Sequence, residues 1–403
     1  MIRVAWPAPL PTRTASHKMR QADAASQRRR SDGPGGARCS PSTRPPRYLE
    51  AMRTSDLRPI FVDDGVVRII DQTRLPSELV LRSLAAVDEA AEAIRSMRVR
   101  GAPLIGVTAA FGMALAMRSD PSDEAVDAAT SLLLATRPTG VNLRTVVTGL
   151  RDELRNLAPA ERPAHAAAAA ERLREEDVAI NRAIGEHGLT LVRELAGRSR
   201  RPDGRVEILT HCNAGALATA GLGTATAPIY RAAEAEIDLH VWVDETRPRN
   251  QGSALTAWEL GRAGIPHTVV VDNAGGHLMQ RGLVDVCLVG TDRTLASGDV
   301  CNKIGTYLKA LAAHDNGVPF YVALPGPSID WETTDPAAIP IEERDGREVA
   351  ELGGTRLVPP GTPTANFGFD VTPARLVTGL ITERGVCAAT EEGLKGLFPD
   401  LAG

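Results

Sequence analysis

"ILTHCNAGALATAGLGTATAPIYRA", Ile208–Ala232, begins with an apolar run, stops at Thr210-His211-Cys212-Asn213, and continues in small residues almost without interruption. A short apolar run closed by polar residues reads as a buried strand. It is one of a series: "VEILTH", "LHVWVD", "HTVVVD", "VDVCLVG" and "PFYVALP" follow one another with helical patterns between them. That alternation predicts βαβ units and a mostly parallel sheet, whose strands are apolar throughout because both faces are covered. "TAWELGRAG" reads as a crossover helix closed by Gly264. Ligands of such sheets gather beyond the carboxyl ends of the strands. The polar residues there are Cys212, Asp244, Asp272, Asn273 and Asp292. "AGLGTATA" contains GxG, but inside an expected helix, so close helix packing is favoured over a dinucleotide fingerprint. No GxxxxGK[ST] phosphate loop is present.

Upstream the period is different. From Val87 to about Leu195 the pattern is helical. "VDEAAEAIRSM" is amphipathic, with Asp88 and Glu89 near its start. "PLIGVTAAFGMALAMR" is apolar on nearly every face and is expected to be buried. "HAAAAAERLREEDVAINRAIGEHGLTLVREL" is expected to form two helices broken near Gly185. "GVVRII" alternates as a strand. The fold class is therefore α/β: a mainly helical N-terminal α+β domain over residues 52–200, then a Rossmann-like domain over 201–403. "RSRRPDGR", Arg198–Arg205, is the expected boundary turn.

The first fifty residues stand apart. They carry a net charge of +7 in a chain whose total is −4, so the remainder is −11. "QRRRSDGPGGARCSPSTRPPR" has no apolar periodicity, and residues 1–51 are expected to be a disordered extension, or a segment upstream of a natural start at Met52. The acidic remainder offers no broad basic surface for nucleic acid, and 3% aromatic residues make a poor base-stacking platform. No apolar run in the sequence reads as membrane-spanning. Five widely spaced cysteines, Cys39, Cys212, Cys287, Cys301 and Cys387, form no CxxC pair and no zinc pattern. The reading is cytoplasmic, with no metal.

Longer motifs are more specific. "RVRGAPLIGVTAAFG", "RPTGVNL", "HCNAGALATAGLGTA", "VDETRPRNQG", "LTAWEL", "DNAGGHLM", "GTDRTLASGDVCNKIGTY" and "IPIEERDGREV" occur in the order in which they occur in the methylthioribose-1-phosphate isomerases. From about Arg58 onward the chain resembles that family, which shares its fold with the regulatory subunits of the exchange factor for translation initiation factor two. The resemblance implies a small antiparallel sheet in the helical domain, a homodimer, and neither nucleotide nor metal cofactor. It places the catalytic thiol on Cys212 and the catalytic carboxylate on Asp292. It places substrate contacts on Arg100, Gly101, Ala102, Arg137, Gln251, Asn302 and Lys303. Two departures fall at the site: Thr291 and Thr294 replace Ala and Ile around Asp292, and Cys301 stands where alanine is frequent.

Each residue also has an ordinary alternative. Arg100 before Gly101-Ala102-Pro103 suits a phosphate site at a helix start, or a solvated arginine. Arg137 suits a bidentate phosphate clamp, or a surface ion pair. Cys212 after a strand is a metal ligand, a redox centre, an ordinary buried thiol or a catalytic residue, and its place after a parallel strand, where helix-end N–H groups can favour thiolate, favours the last. Cys287 within "VDVCLVG" is core, and Cys301 is pocket packing. Asp292 is a proton donor if its surroundings are apolar, or a partner for Arg293. Gln251 and Asn302 offer amides to hydroxyls, and Lys303 offers an ammonium. Asp272-Asn273 is a potential helix cap.

The expected substrate is a small phosphorylated sugar, 5-methylthio-ribose 1-phosphate, isomerised to the ribulose in methionine salvage. The alternatives are 5-deoxyribose 1-phosphate, ribose 1,5-bisphosphate, and a non-catalytic regulatory scaffold. No membrane or nucleic-acid partner is expected.

Overall fold

The computed structural model describes residues 57–137, 140–198, 201 and 204–401. The expected extension over 1–51 lies outside the described residues, as does part of the expected boundary turn.

Strands β1 (Ile60–Asp63), β2 (Val66–Ile70) and β3 (Leu81–Leu84) form an antiparallel sheet in that order. Ile60 pairs with Ile69, and Val67 with Leu84. All four are buried and turn one face of the sheet onto the helices. Those helices are α1 (Val87–Arg95), α2 (Ala102–Ser119), α3 (Asp123–Leu134), α4 (Val141–Arg155) and α5 (Arg162–Arg198). Helix α2 is apolar all round because it packs against α1, α3, α4 and α5 together. Its 18 residues and mean hydropathy of 1.3 reach membrane-spanning composition, which the sequence reading had not found. It is a core helix, with 78% of that window buried inside the fold.

Helix α5 corrects another expectation. It runs unbroken through Gly185 for 37 residues. Its glycines serve packing instead: α6 (Thr226–Glu234) crosses so closely that a Cβ on Gly188 would lie 2.3 Å from Pro228 Cγ. A Cβ on Gly185 would lie 3.2 Å from Ala227 Cβ. The missing side chains allow the two backbones to approach.

The second layer is a seven-stranded sheet ordered β16-β15-β10-β7-β4-β5-β6. It comprises β4 (Val206–Thr210), β5 (Leu239–Asp244), β6 (His267–Val270), β7 (Val286–Val289), β10 (Phe320–Ala323), β15 (Gly379–Thr382) and β16 (Gly385–Cys387). Every pair is parallel except β15 with β16. The five apolar runs of the sequence are five of these strands, but β6, at the edge of the sheet, is buried at none of its residues, so two covered faces do not account for its apolar run. Strand β4 lies inside the sheet and is buried at every residue. Beyond the tip of β7 the chain forms a second small sheet, β11-β8-β9-β14. Its strands are β8 (Arg293–Leu295), β9 (Val300–Lys303), β11 (Ile329–Asp330) and β14 (Phe369–Thr372). Between the last two, β12 (Glu351–Leu352) and β13 (Thr355–Arg356) make a short hairpin.

Two local expectations change. Residues 215–225 are a looped segment with one 3-10 turn, Ala216–Ala218, and helix begins only at Thr226. Gly221 and Gly223 have φ of 156° and 82°, so they serve turns instead of helix packing. The crossover after β5 starts as a π-helical turn, Gly252–Thr256, and becomes α7 at Ala257–Arg262. A Cβ on Gly252 would overlap the Asp244 carbonyl oxygen, which explains the glycine at that position.

The packing of α5 on α6 leads to a test. Gly188→Ala should destabilise the fold by about 1–3 kcal/mol through overpacking. Gly149→Ala, at an exposed position of helix α4 with nothing within 4 Å of its Cβ position, should stabilise it by about 0.5–1 kcal/mol. Denaturant unfolding of both variants checks the contrast.

Candidate active site

The site forms where the strand ends of the parallel sheet meet the start of α2. At the end of β4, Cys212 has a φ of 66°, a left-handed conformation that a side chain rarely adopts. Neighbouring hydroxyls hold it there. Thr246 Oγ1 accepts from Cys212 N at 2.8 Å, and Thr256 Oγ1 donates to Cys212 O at 2.7 Å. Thr246 is itself left-handed at φ 63°, and its N–H, with that of Arg247, donates to the Asp272 carboxylate at 2.7 Å. Asp272 thus anchors the loop after β5; it makes no side-chain cap of α8 (Ala274–Gln280), and neither does Asn273.

The next residue links the two layers. Asn213 accepts through Oδ1 from Arg100 Nη1, and its carbonyl accepts from Nη2 of the same guanidinium. Asn213 Nδ2 donates to Glu259 Oε1 at 2.9 Å. Glu259 is fully buried and also accepts from Ala216 N, Leu217 N and the Tyr230 hydroxyl. Its pKa is raised by burial, against those donors. Arg100 is therefore no solvated arginine: it is 7% exposed and braces the loop that carries the thiol. Gly101 follows with a φ of 97°, and a Cβ there would lie 2.3 Å from Ala218 O. Helix α2 starts immediately afterward with no side-chain cap, so its first N–H groups are left for other acceptors.

Asp292 enters from the opposite wall, just before β8. Its N–H donates to Cys301 O at 3.0 Å. The two threonines that depart from the family pattern reinforce this turn. Thr291 Oγ1 donates to Cys301 O at 3.1 Å and accepts from Arg293 N at 3.0 Å, and Thr294 Oγ1 donates to Thr291 Oγ1 at 3.2 Å. Arg293 pairs with Asp330 at 3.0 Å. On β9, Asn302 Nδ2 donates to Thr306 Oγ1 at 3.0 Å. Lys303 Nζ donates to Gly368 O at 3.0 Å and sits 4.5 Å above the Phe369 ring.

All nine sequence-derived candidates, Arg100, Gly101, Ala102, Arg137, Cys212, Gln251, Asp292, Asn302 and Lys303, line one cleft of about 650 Å³. Burial raises the pKa of both Cys212 and Asp292. For Cys212, Lys303 and Arg100 act against burial and the Asp292 charge acts with it. For Asp292, Lys303, Arg137 and Arg100 act against burial and Glu342 acts with it. The cleft therefore favours a proton on each group while keeping cations beside both. Gln251 is 5% exposed, and its Oε1 has no hydrogen-bond partner among the described residues. A buried acceptor left in that state fits a ligand that brings a donor. Cys287 lies in the core as expected, its pKa pushed up by burial. Cys301 packs with Leu295 and Ile339 behind Asp292, its thiol pushed up to about 12 by burial.

A scan against protein families matches residues 98–389 to the initiation factor 2 subunit family. The chain belongs to that family. Chains similar to this one are named as enzymes and as translation factors. A relative from Rhodospirillum centenum, named methylthioribose-1-phosphate isomerase, is 62% identical over 357 residues, covering 86% of this chain and 95% of the relative. The crystal structure of 5-methylthioribose 1-phosphate isomerase from Pyrococcus horikoshii superposes with a TM-score of 0.77 at 38% identity, covering 87% of this chain and 98% of that one. A translation initiation factor eIF-2B delta subunit from A. fulgidus gives 0.73 at 39%, covering 85% and 100%.

Sequence reasoning did not single out several residues that hold the family's cleft in this chain. Glu259 is one, legible only as an acid within the apolar "LTAWEL". His211 is another: Nε2 donates to Ile304 O at 2.8 Å, and Nδ1 lies 2.9 Å from Asp244 Oδ2. Asp244 also meets Lys309 Nζ at 3.1 Å. Ligand atoms of His211, Asp244 and Asp272 lie within 4.8 Å of one another, a spacing that suits a metal. Lys309 Nζ sits on Asp244 Oδ2 and the two loop N–H groups on Asp272, while buried Asp244 Oδ1 has no hydrogen-bond partner among the described residues.

Asp177 on α5 reaches the same loop, accepting from Ala220 N at 2.6 Å and Asn181 Nδ2 at 3.0 Å. Burial pushes its carboxyl up to about 7. Folding then retains a proton that the unfolded chain releases near pH 3.8. Stability from this group is fully present below that pH and declines as pH rises to about 7. Asp177→Asn should therefore melt above the wild type at pH 8 and lose that advantage below pH 4, as measured by thermal unfolding across pH.

Proposed function

We propose that this chain is an aldose–ketose isomerase converting 5-methylthio-ribose 1-phosphate to 5-methylthio-ribulose 1-phosphate, a step of methionine salvage. One observation carries the reading: a thiol and a carboxyl, both with raised pKa, share a buried cleft with two arginines, a lysine and an amide oxygen in want of a donor. Identity above one half to relatives named as this isomerase supports the same substrate.

The substrate is a closed furanose whose anomeric oxygen carries the phosphate. Arg137, Lys303 and the uncapped start of α2 at Gly101-Ala102 hold the phosphate at C1 throughout. Arg100 keeps Asn213 and the thiol loop in place and adds its charge to the anion site. Neutral Asp292 gives its proton to the ring oxygen as the C1–O4 bond breaks. It later takes the proton of the C2 hydroxyl as the carbonyl forms there, so the carboxyl ends as it began. Gln251 and Asn302 orient the hydroxyls.

Two routes for the C2 hydrogen satisfy this balance. With Lys303 and Arg100 pulling its pKa down, Cys212 acts as thiolate, takes the C2 proton to leave an enol, and returns it to C1. With burial holding the thiol neutral, the hydrogen passes from C2 to C1 with its electron pair, and Cys212 shapes the wall beside that path. The reaction is redox-neutral within one substrate.

The purified protein should convert 5-methylthio-ribose 1-phosphate without added nucleotide or metal. The assay panel includes 5-deoxyribose 1-phosphate, because a pocket discriminates one small neutral group by only about 1–3 kcal/mol. It also includes ribose 1,5-bisphosphate. Activity on another panel member alone would overturn the assignment. Deuterium at C2 washes into solvent on the thiolate route and stays in the product on the other. Asp292→Asn should lower single-turnover rates at least about a thousandfold on either route with the fold intact, and Cys212→Ser should do the same on the thiolate route. Near-normal turnover in either variant would remove that residue from the chemistry.

The proposal extends to a cytoplasmic homodimer with no nucleic-acid or membrane partner, and to domains at 52–200 and 201–403 with residues 1–51 dispensable. The resemblance to the isomerases supports the dimer. The composition of the first fifty residues supports their dispensability, the acidic and aromatic-poor remainder the absence of a nucleic-acid partner, and the change from helical to βαβ pattern the domain division. Sedimentation equilibrium of the whole chain and of one starting at Met52 should give twice the monomer mass in both cases; a monomer in either would refute this part.

A further inference from the structure

The arginine that the proposed chemistry assigns to the phosphate is already engaged. Arg137 Nη2 lies 3.1 Å from Glu342 Oε2, with the two side chains only 16% and 23% exposed. Glu342 is held from its other side, where Oε1 accepts from Arg344 Nη1 at 2.7 Å. Arg344 in turn donates to both oxygens of Glu348, at 3.1 Å from Nε and 3.0 Å from Nη2. Glu348 also accepts from Arg249 Nη1 at 2.7 Å and Asn366 Nδ2 at 3.0 Å. Burial opposes its ionisation, but the Arg344 and Arg249 guanidiniums prevail and hold its carboxyl down at about 2. Glu348 therefore stays charged and keeps Arg344 in place. Glu342 is held beside an anion site, and among the described residues Arg137 is its one bonded partner that also lines the cleft.

We propose that Glu342 is a positioning residue that competes with the substrate's phosphate for Arg137: the phosphate breaks the Arg137–Glu342 pair on entry, and the pair re-forms as product leaves. The phosphate's identity rests on the isomerase reading above; the competition itself does not.

The physical reasoning is a balance of like and unlike charges. A phosphate dianion offers Arg137 a bidentate partner that a single carboxylate oxygen does not. Gaining it means giving up Glu342 and leaving that carboxylate near the incoming anion, shielded by Arg344 alone. The phosphate is consequently bound less tightly than the two arginines and the lysine of the cleft would otherwise bind it. That loosening has a use. Substrate and ketose product carry the same phosphate, so uniform tight binding would slow product release without lowering the chemical barrier. The same carboxylate also faces Asp292, on the side of keeping its proton.

The test is calorimetric titration of the full chain with inorganic phosphate, for wild type, Glu342→Gln, Glu342→Asp, Arg137→Met and the Glu342→Gln/Arg137→Met double variant. Glu342→Gln should bind phosphate about fivefold tighter, the scale of an ion pair that no longer has to be broken. Glu342→Asp, which keeps the charge on a shorter arm, should fall between it and the wild type. The gain should vanish when Arg137 is absent. With sugar phosphate as substrate, Glu342→Gln should lower both KM and kcat and strengthen inhibition by the ketose phosphate. Unchanged or weaker phosphate binding by folded Glu342→Gln overturns the proposal, and so does an equal gain in the Arg137→Met background, which would reduce Glu342 to simple repulsion. Calorimetry needs no turnover, so a chain that binds phosphate as described but isomerises nothing refutes the isomerase reading alone.

Discussion

The buried Glu259 carboxylate is the constraint on which the cleft depends. It sits on α7, on the crossover after β5, and gathers donors from the loop after β4 and from α6. A charge this deep is stable only when its oxygens are saturated, and four donors meet that condition. Saturation fixes the loop in turn. The backbone passes so close that a Cβ on Gly215 would lie 2.3 Å from Glu259 Oε2. Asn213 then has one orientation, with its amide nitrogen toward Glu259 and its oxygens toward Arg100. Cys212, one residue earlier, is left in its left-handed conformation between two threonine hydroxyls. The strain there, of order 1–3 kcal/mol, persists because partners on both sides hold the residue.

This architecture separates the groups that hold from the groups that are free to act. Arg100, Asn213, Glu259 and His211 bond to one another, to backbone, or to the side chains of Thr256, Tyr230 and Asp244. Cys212, Asp292 and the Gln251 oxygen face the cleft. Lys303 and Arg137 are between the two cases, each resting on a weaker partner, a carbonyl or a half-buried carboxylate, that an incoming anion can displace. Burial then acts on both acid groups in the same direction, while the cations around them limit the effect.

The parts of the fold legible in the sequence were those set by burial along one element. Five apolar runs became five strands, and the helix apolar all round became the one packed on four neighbours. What the sequence did not disclose depended on partners far along the chain. Gly185 resembled a helix break until α6 was seen crossing it. The segment at 215–225 is rich in alanine, but Glu259, some forty positions later, takes the N–H groups of Ala216 and Leu217, Asp177 takes that of Ala220, and Gly221 and Gly223 turn the chain at positive φ. The nine cleft residues were recognisable because their motifs are long and specific. Glu259, His211 and Glu342 were not, since an acid or histidine in a sequence does not show which backbone groups will surround it.

The cleft draws its walls from Met97 at one end and Phe369 at the other, across both layers, with Arg137, residues 211–224, Gln251, 290–292, 302–303 and Pro325 between them. Almost none of its contacts are local. Forming such a site requires large loops to close before any favourable contact rewards them. The parallel strands and the helical bundle can each collapse on local or neighbouring contacts, but the thiol loop has no reason to leave its relaxed backbone until Arg100 arrives from the helical layer and α7 is in place. Assembly of the site therefore waits on both layers at once, and a piece of this chain that omits part of residues 97–369 lacks part of its walls.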